Sequence, residues 1–311
     1  AEETFPQATF MLMPDAEWCL CNAAQLVEFC KQRRDDTYHT GYQMRIINNK
    51  TLDYVAPRLI RCRTNTRFKG AVHEYLAITC EDKVPHDIYF DWVVTRYGGK
   101  KSQARWLRDK DILLRSYQED PEDSRTVFYL GQTYACLGDW QSAYDWYLMR
   151  TKMAGAYEEN FVTFVRLGDV TDQLGKSTES ENPEAMNRWQ EALSYYLKAF
   201  AIMPHRIEPL IKIANHYIET HEYSLAYLFA RRALEIPYPH RDCLFIEKEM
   251  YDYDRYDIIG RVAWYIGEYE MGEQALHKAL EKYPDMPHLH RNLAFYLERK
   301  KELEKRVGGN I

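Results

Sequence analysis

The residues best placed to do chemistry stand near the start of the chain, in the run Thr9-Phe10-Met11-Leu12-Met13-Pro14-Asp15-Ala16-Glu17-Trp18. An apolar, strand-like stretch ends there in two carboxylates, one residue apart. In an extended chain, residues i and i+2 point to the same side. Asp15 and Glu17 are therefore expected to converge at the carboxyl end of a strand, where open α/β sheets bind ligands. Hard divalent cations such as Mg²⁺ or Mn²⁺ take oxygen ligands of this kind and share them with a phosphate. The other reading of the pair is a solvated turn.

A second polar cluster is Arg67-Phe68-Lys69-Gly70-Ala71-Val72-His73-Glu74-Tyr75. His73 offers a nitrogen ligand to a cation held by Asp15 or Glu17. Glu74 points to the opposite side if the strand continues, and a surface His-Glu pair is the plainer alternative. The zinc-protease pattern HExxH is excluded, because Ala77 stands where the second His belongs. Arg58, in Pro57-Arg58-Leu59-Ile60-Arg61, has the fork that recognises phosphate or carboxylate, and is otherwise a solvated or paired surface Arg. Tyr97-Gly98-Gly99-Lys100-Lys101-Ser102 is flexible and basic. It suits either a lid over a diphosphate or an interdomain linker. The spacing of a Walker loop is absent from it.

Two textures of sequence must position these groups. Residues 1–100 mix strand-like and loop-like segments. Phe10–Met13, Gly41–Ile47, Tyr54–Cys62, Val72–Thr79 and Ile88–Val94 read as strands, and Ala23–Lys31 as a helix. Gly41–Ile47 and Tyr54–Cys62 form a hairpin around Asn48-Asn49-Lys50. Residues 101–311 are helical with the period of a solenoid. The helix–turn–helix repeat of ~34 residues carries a large residue, Leu-Gly, Tyr, then Gly, Ala, aromatic, Ala and Pro. Val127, Leu130-Gly131, Tyr134, Gly138, Ala143 and Tyr147 fit the first unit. Phe164, Leu167-Gly168, Ala192, Tyr196, Ala199 and Pro204 fit the second, with a polar insert around Lys176–Glu184. Leu210, Ala214, Tyr217, Ala226, Ala230 and Ala233 fit the third, followed by the insert Pro237–Asp257. Ala263, Gly267, Tyr269, Gly272, Ala279 and Pro284 fit the fourth. A helix from His288 to Arg306 caps the array.

The ordered set resembles family 2 glycosyltransferases of the GT-A fold with a tetratricopeptide tail. It comprises an Asp-x-Asp/Glu strand end, a "PRLIR" strand, a "GxVHE" element and the repeats. The fold class expected is α/β plus all-α, a partial GT-A-like mixed sheet followed by a tetratricopeptide helical solenoid. The resemblance implies inverting transfer of a sugar from a nucleotide-diphosphate donor to a protein or glycan acceptor. It implies a divalent cation, Mn²⁺ or Mg²⁺, at Asp15, Glu17 and His73. Arg58, Lys100 and Lys101 would meet the diphosphate, and Glu74 is the candidate base. In that family the nucleotide-binding strands precede the Asp-x-Asp strand. Here only eight residues do, so the amino-terminal half of such a domain is expected to be missing. The rival expectation is a non-catalytic scaffold binding a peptide or protein on the repeat surface, since repeats of this type carry no chemistry of their own.

The bulk numbers narrow the field. A net charge of −6 over 311 residues argues against nucleic-acid binding by bulk charge. Aromatic residues make up 14%, with 25 Tyr, which suits packed helical repeats. Seven Cys are scattered, and Cys19-Leu20-Cys21 lacks metal-site spacing. Reduced thiols in a reducing, cytoplasmic compartment are expected. No apolar run reaches membrane-spanning length.

Overall fold

The computed structural model describes residues 3–48, 52–78, 80–93, 102–176, 183–240, 242 and 244–308. Contacts divide the chain into two compact units, Ala1–Thr163 with Arg241–Ile246, and Phe164–His240 with Glu247–Ile311. The change from strands to helices falls at Ser102.

The first unit begins with a mixed sheet. Its strands are β1 (Phe10–Leu12), β2 (Trp18–Cys21), β3 (Gly41–Asn48), β4 (Leu52–Arg61), β7 (Glu81–Lys83) and β8 (Tyr89–Trp92). They lie in the order β1-β4-β3-β8-β2, with β7 also paired to β3. β3 is the organiser. Tyr42, Met44 and Ile46 alternate along it and are fully buried, as the two-residue period of a strand requires. They share a core with Leu26 and Phe29 of α1 (Ala23–Gln32), with Ile88, and with Phe90 of β8. β4 runs antiparallel to β3, while β7 and β8 run parallel to it.

The sequence expectations for β1, α1, β3, β4 and β8 hold to within a few residues. The expected strand Val72–Thr79 does not form as one element. The chain instead makes a two-stranded hairpin, β5 (Phe68–Lys69) with β6 (Tyr75–Leu76). Gly70 and His73 between them take left-handed backbone, φ 97° and 52°, which no strand tolerates. β2 and β7 were not expected, because both are short and β7 is wholly polar.

The helices of the first unit are α2 (Ser102–Glu119), α3 (Ser124–Cys136) and α4 (Trp140–Arg150), followed by the start of α5 (Tyr157–Lys176). Asp123 caps α3 by accepting from the Arg125 amide at 3.1 Å, and Asp139 caps α4 through the Ser142 amide at 3.1 Å. Gly138 ends the first helix of this pair with φ 79°, as Gly267 ends another with φ 84°. The second unit continues with α6 (Pro183–Ile202), α7 (Glu208–Glu219), α8 (Tyr223–Leu234), α9 (Arg255–Ile266), α10 (Tyr269–Lys282) and α11 (Pro287–Gly308).

The repeat pattern is realised as packing. A methyl group on Gly131 would stand 2.7 Å from the Tyr147 ring, one on Gly168 2.5 Å from Tyr196, and one on Gly260 2.5 Å from Leu276. In each pair the first helix supplies the small residue and the second supplies the bulky one. Ala143, Ala199, Ala226, Ala230 and Ala279 are fully buried, which lets the helices approach closely. Helix α11 closes the array. Its Leu289, Leu293 and Tyr296 bury against Leu276 and Ala279. The second unit is therefore a tetratricopeptide-like helical solenoid. Its insert ends in a π-helical turn, Met250–Asp254, that runs into α9. Tyr251 anchors that turn, donating to Glu208 at 3.2 Å and accepting from the Ile207 amide at 3.2 Å.

Candidate functional site

The strand-end carboxylates Asp15 and Glu17 lie at a turn, beyond the extended chain. β1 stops at Leu12, and the chain turns so that the Trp18 amide donates to the Asp15 carbonyl at 3.1 Å. Asp15, 65% exposed at its side chain, lies 3.8 Å from the Arg58 guanidinium. That guanidinium sits over the Trp18 ring at 4.9 Å. Glu17 instead accepts from the Trp92 indole at 3.0 Å. Thus two of the expected donor-site residues, Asp15 and Arg58, are brought together.

His73 and Glu74 lie on the β5–β6 hairpin, which is fastened to α3. The His73 ring stacks on Tyr129 at 4.2 Å and 9°. Its carbonyl accepts from Arg125 at 2.9 Å, and the Arg125 guanidinium lies over both Tyr75 and Tyr129. Desolvation pushes the His73 imidazole below its ordinary value. Asp109 opposes this, while the cations Arg125 and Arg105 add to it. The charged groups that act most strongly on His73 are Asp109 and Arg105 of α2, Arg125 of α3, and Glu74. Lys100 and Lys101 lie outside the described residues. Among the described residues, no group of three or more His, Cys, Asp or Glu side chains could hold a metal. No disulfide joins the six described cysteines, and no described helix is long and apolar enough to cross a membrane.

A different site emerges in the second unit. The end of α7, the start of α8, and helices α9 and α11 enclose a cavity of about 930 Å³. Aromatic side chains dominate its wall. Tyr265 and Phe295, 63% and 59% exposed, open two large rings onto this one cavity. Tyr223 and Tyr265 stack at 4.0 Å, and Trp264 meets Tyr296 edge-on at 5.3 Å. The Tyr296 hydroxyl donates to the Gly260 carbonyl at 2.9 Å, which fixes α11 on α9. His221 sits at the α7–α8 turn in left-handed backbone, φ 61°, and its ring bonds the Tyr223 hydroxyl at 2.9 Å. Other pairs place Gly at this turn, so the side chain is held there against a backbone preference of ~1–2 kcal/mol.

The floor of the cavity is charged. Asp257 is 8% exposed. Its Oδ1 is buried without a hydrogen-bond partner. Arg261 lies 3.7 Å from Oδ2 and His288 3.5 Å from Oδ1. Burial pushes the Asp257 carboxyl up, and Arg261 and His288 pull it down. The sequence held a signal for this face. Asp257, Arg261 and Tyr265 recur every fourth residue, one stripe of a helix. The stripe was missed because its first member was assigned to an insert.

No protein-family model matches the chain, and no curated protein matches it. Solved structures similar to it include three repeat proteins. The thermophilic TPR protein TTC0263 of Thermus thermophilus aligns with TM-score 0.44 and 16% identity, over 64% of this chain and 93% of that one. A tetratricopeptide repeat protein of Parabacteroides merdae aligns with TM-score 0.44 and 14% identity, over 67% and 74%. YrrB, described as a TPR protein with an unusual peptide-binding site, aligns with TM-score 0.41 and 16% identity, over 65% and 86%. The repeat assignment itself rests on the helix pairing and the buried small residues described above.

Proposed function

We propose that the chain is a non-catalytic binding module whose α7–α9–α11 face receives a peptide segment of a partner protein. The observation that carries this reading is the aromatic cavity of about 930 Å³, with Tyr265 and Phe295 left open to solvent. Large exposed rings in a concavity are what protein recognition uses, because they bury much area with few rotors to freeze. The test is selection of nonamer peptides on the full chain, followed by fluorescence anisotropy. Tyr265→Ala and Phe295→Ala should each weaken the selected peptides about tenfold or more. Unchanged affinity in both variants removes the reading.

The second reading is the glycosyltransferase-like one, with a nucleotide-sugar donor, a protein or glycan acceptor, and Mn²⁺ or Mg²⁺. It is favoured by one contact, Asp15 beside Arg58 at 3.8 Å, since a cation ligand and a diphosphate clamp belong together. Glu17, His73, Glu74, Lys100 and Lys101 would complete that site. Calorimetric titration of Mn²⁺ with UDP-sugars tests it. Heat that is lost in Asp15→Asn with Glu17→Gln supports the reading, and absence of binding excludes it for this chain.

A further inference from the structure

We propose that the α7–α9–α11 groove selects a cationic side chain, an arginine or lysine of the bound peptide, and seats it between the exposed rings and the Asp257 carboxylate. The proposal rests on the peptide-binding reading and names the chemistry of the occupant. A buried carboxylate with an oxygen lacking a hydrogen bond is an incomplete structure. The two basic side chains nearest Asp257 do not complete it. Arg261 stands 3.7 Å away with a side chain 45% exposed, beyond hydrogen-bond length and easily displaced. His288 approaches Oδ1 to 3.5 Å, but the same Nε2 is engaged with the Tyr253 hydroxyl at 2.5 Å. Whichever of those two groups holds the proton, that nitrogen's single hydrogen-bonding capacity is used.

The surroundings favour positive charge. Asp254 lies one turn before Asp257 on the π-helical turn, and its carboxyl is pushed up to about 6 by burial and by Glu249, Asp257 and Glu247. Several acids therefore share one low-dielectric neighbourhood. Lys248 and Lys282 do not offset them, since both are paired with Asp252. Lys212 acts on Asp254 more weakly than those acids do. Tyr265, Phe295 and Trp264 line the same cavity as Asp257, and aromatic faces carry the negative side of the ring quadrupole. An arginine or lysine gains from both at once. Its alkyl stem covers the exposed rings, and its head donates to the carboxylate. Arg261 holds the place until the ligand displaces it.

Selection of a randomised nonamer library on the full chain tests this. The expected result is enrichment of Arg or Lys at one fixed position. Replacement of that residue by Gln should weaken binding about tenfold or more. Asp257→Asn should weaken the basic peptide by a similar factor and the Gln peptide little. Arg261→Ala removes the competing cation and should tighten the basic peptide. This variant and Tyr265→Ala change exposed side chains, so they decide the matter even if Asp257→Asn unfolds. Peptides that need Tyr265 and Phe295 but show no preference for Arg or Lys overturn the cation proposal and leave the binding module standing. Weaker binding of the basic peptide by Arg261→Ala also overturns it. A library that yields no peptide dependent on Tyr265 or Phe295 overturns both.

Discussion

Substitution of Gly131 by alanine tests the packing of the repeats by the sign of its effect. Gly131 lies inside α3 and is buried. In an isolated helix, Gly→Ala stabilises by about 1 kcal/mol, because alanine loses less backbone entropy. In this structure the new methyl would stand 2.7, 2.8 and 2.9 Å from Cδ1, Cε1 and Cγ of Tyr147. Carbon atoms prefer a separation of about 3.5–4.0 Å. Tyr147 is 1% exposed, so its ring has nowhere to retreat. Overpacking of this kind costs roughly 1–3 kcal/mol. With the propensity gain subtracted, a net destabilisation of about 0–2 kcal/mol is expected. Urea unfolding followed by far-ultraviolet dichroism reads it as a lower midpoint. In a Tyr147→Ala background the obstacle is gone, and Gly131→Ala should then stabilise. Gly138→Ala provides the contrast. Nothing lies within 4 Å of its added methyl, and its φ is 79°, so its cost of about 1 kcal/mol is backbone strain alone and persists in the Tyr147→Ala background. A raised midpoint for Gly131→Ala in the natural background would refute the close approach of α3 and α4.

Other expectations follow from buried charge. The Asp254 carboxyl is held near 6 against an ordinary 3.8. The folded state therefore binds the proton more tightly, and stability is lost as pH rises through about 6. Asp254→Asn should raise stability by about 1–3 kcal/mol at pH 8 and change it little at pH 4, as read by urea unfolding at both values. Arg206 and Glu208 form a buried pair at 2.7 Å, with side chains 0% and 2% exposed. Arg206→Met leaves buried Glu208 without its counter-ion, with the Tyr251 hydroxyl still donating to it, and should cost about 3–5 kcal/mol. Lys278→Met breaks the exposed pair with Glu281 and should leave the urea midpoint almost unchanged.

What could be read from the sequence followed physical period. Tyr42, Met44 and Ile46 alternate, and the strand they predict is the centre of the sheet. The glycine and alanine positions of the repeats were legible for the same reason. Gly131 and Gly168 each meet a bulky ring on the next helix, Tyr147 and Tyr196. Local readings failed where backbone handedness intervened. Val72–Thr79 has the composition of a strand, but the left-handed residue His73 breaks it. The Asp15 and Glu17 pair was judged by strand geometry, whereas the hydrogen bond from Trp18 to Asp15 makes a turn there. The groove was the least legible feature. It is assembled from α7, α9 and α11, so its residues are distant in sequence. Its local traces are the stripes Asp257–Arg261–Tyr265 on α9 and His288–Asn292–Phe295 on α11.

The central claim is that peptide recognition occurs on the α7–α9–α11 face. Photo-crosslinking measures this most directly. A selected peptide carrying benzoylphenylalanine beside its basic residue is irradiated with the full chain, and the adducts are mapped by mass spectrometry. Adducts on α9 and α11, near Tyr265 and Phe295 and competed by unlabelled peptide, are the predicted result. Competed adducts that fall on the β-sheet or elsewhere in the chain, with α9 and α11 unlabelled, would contradict the account.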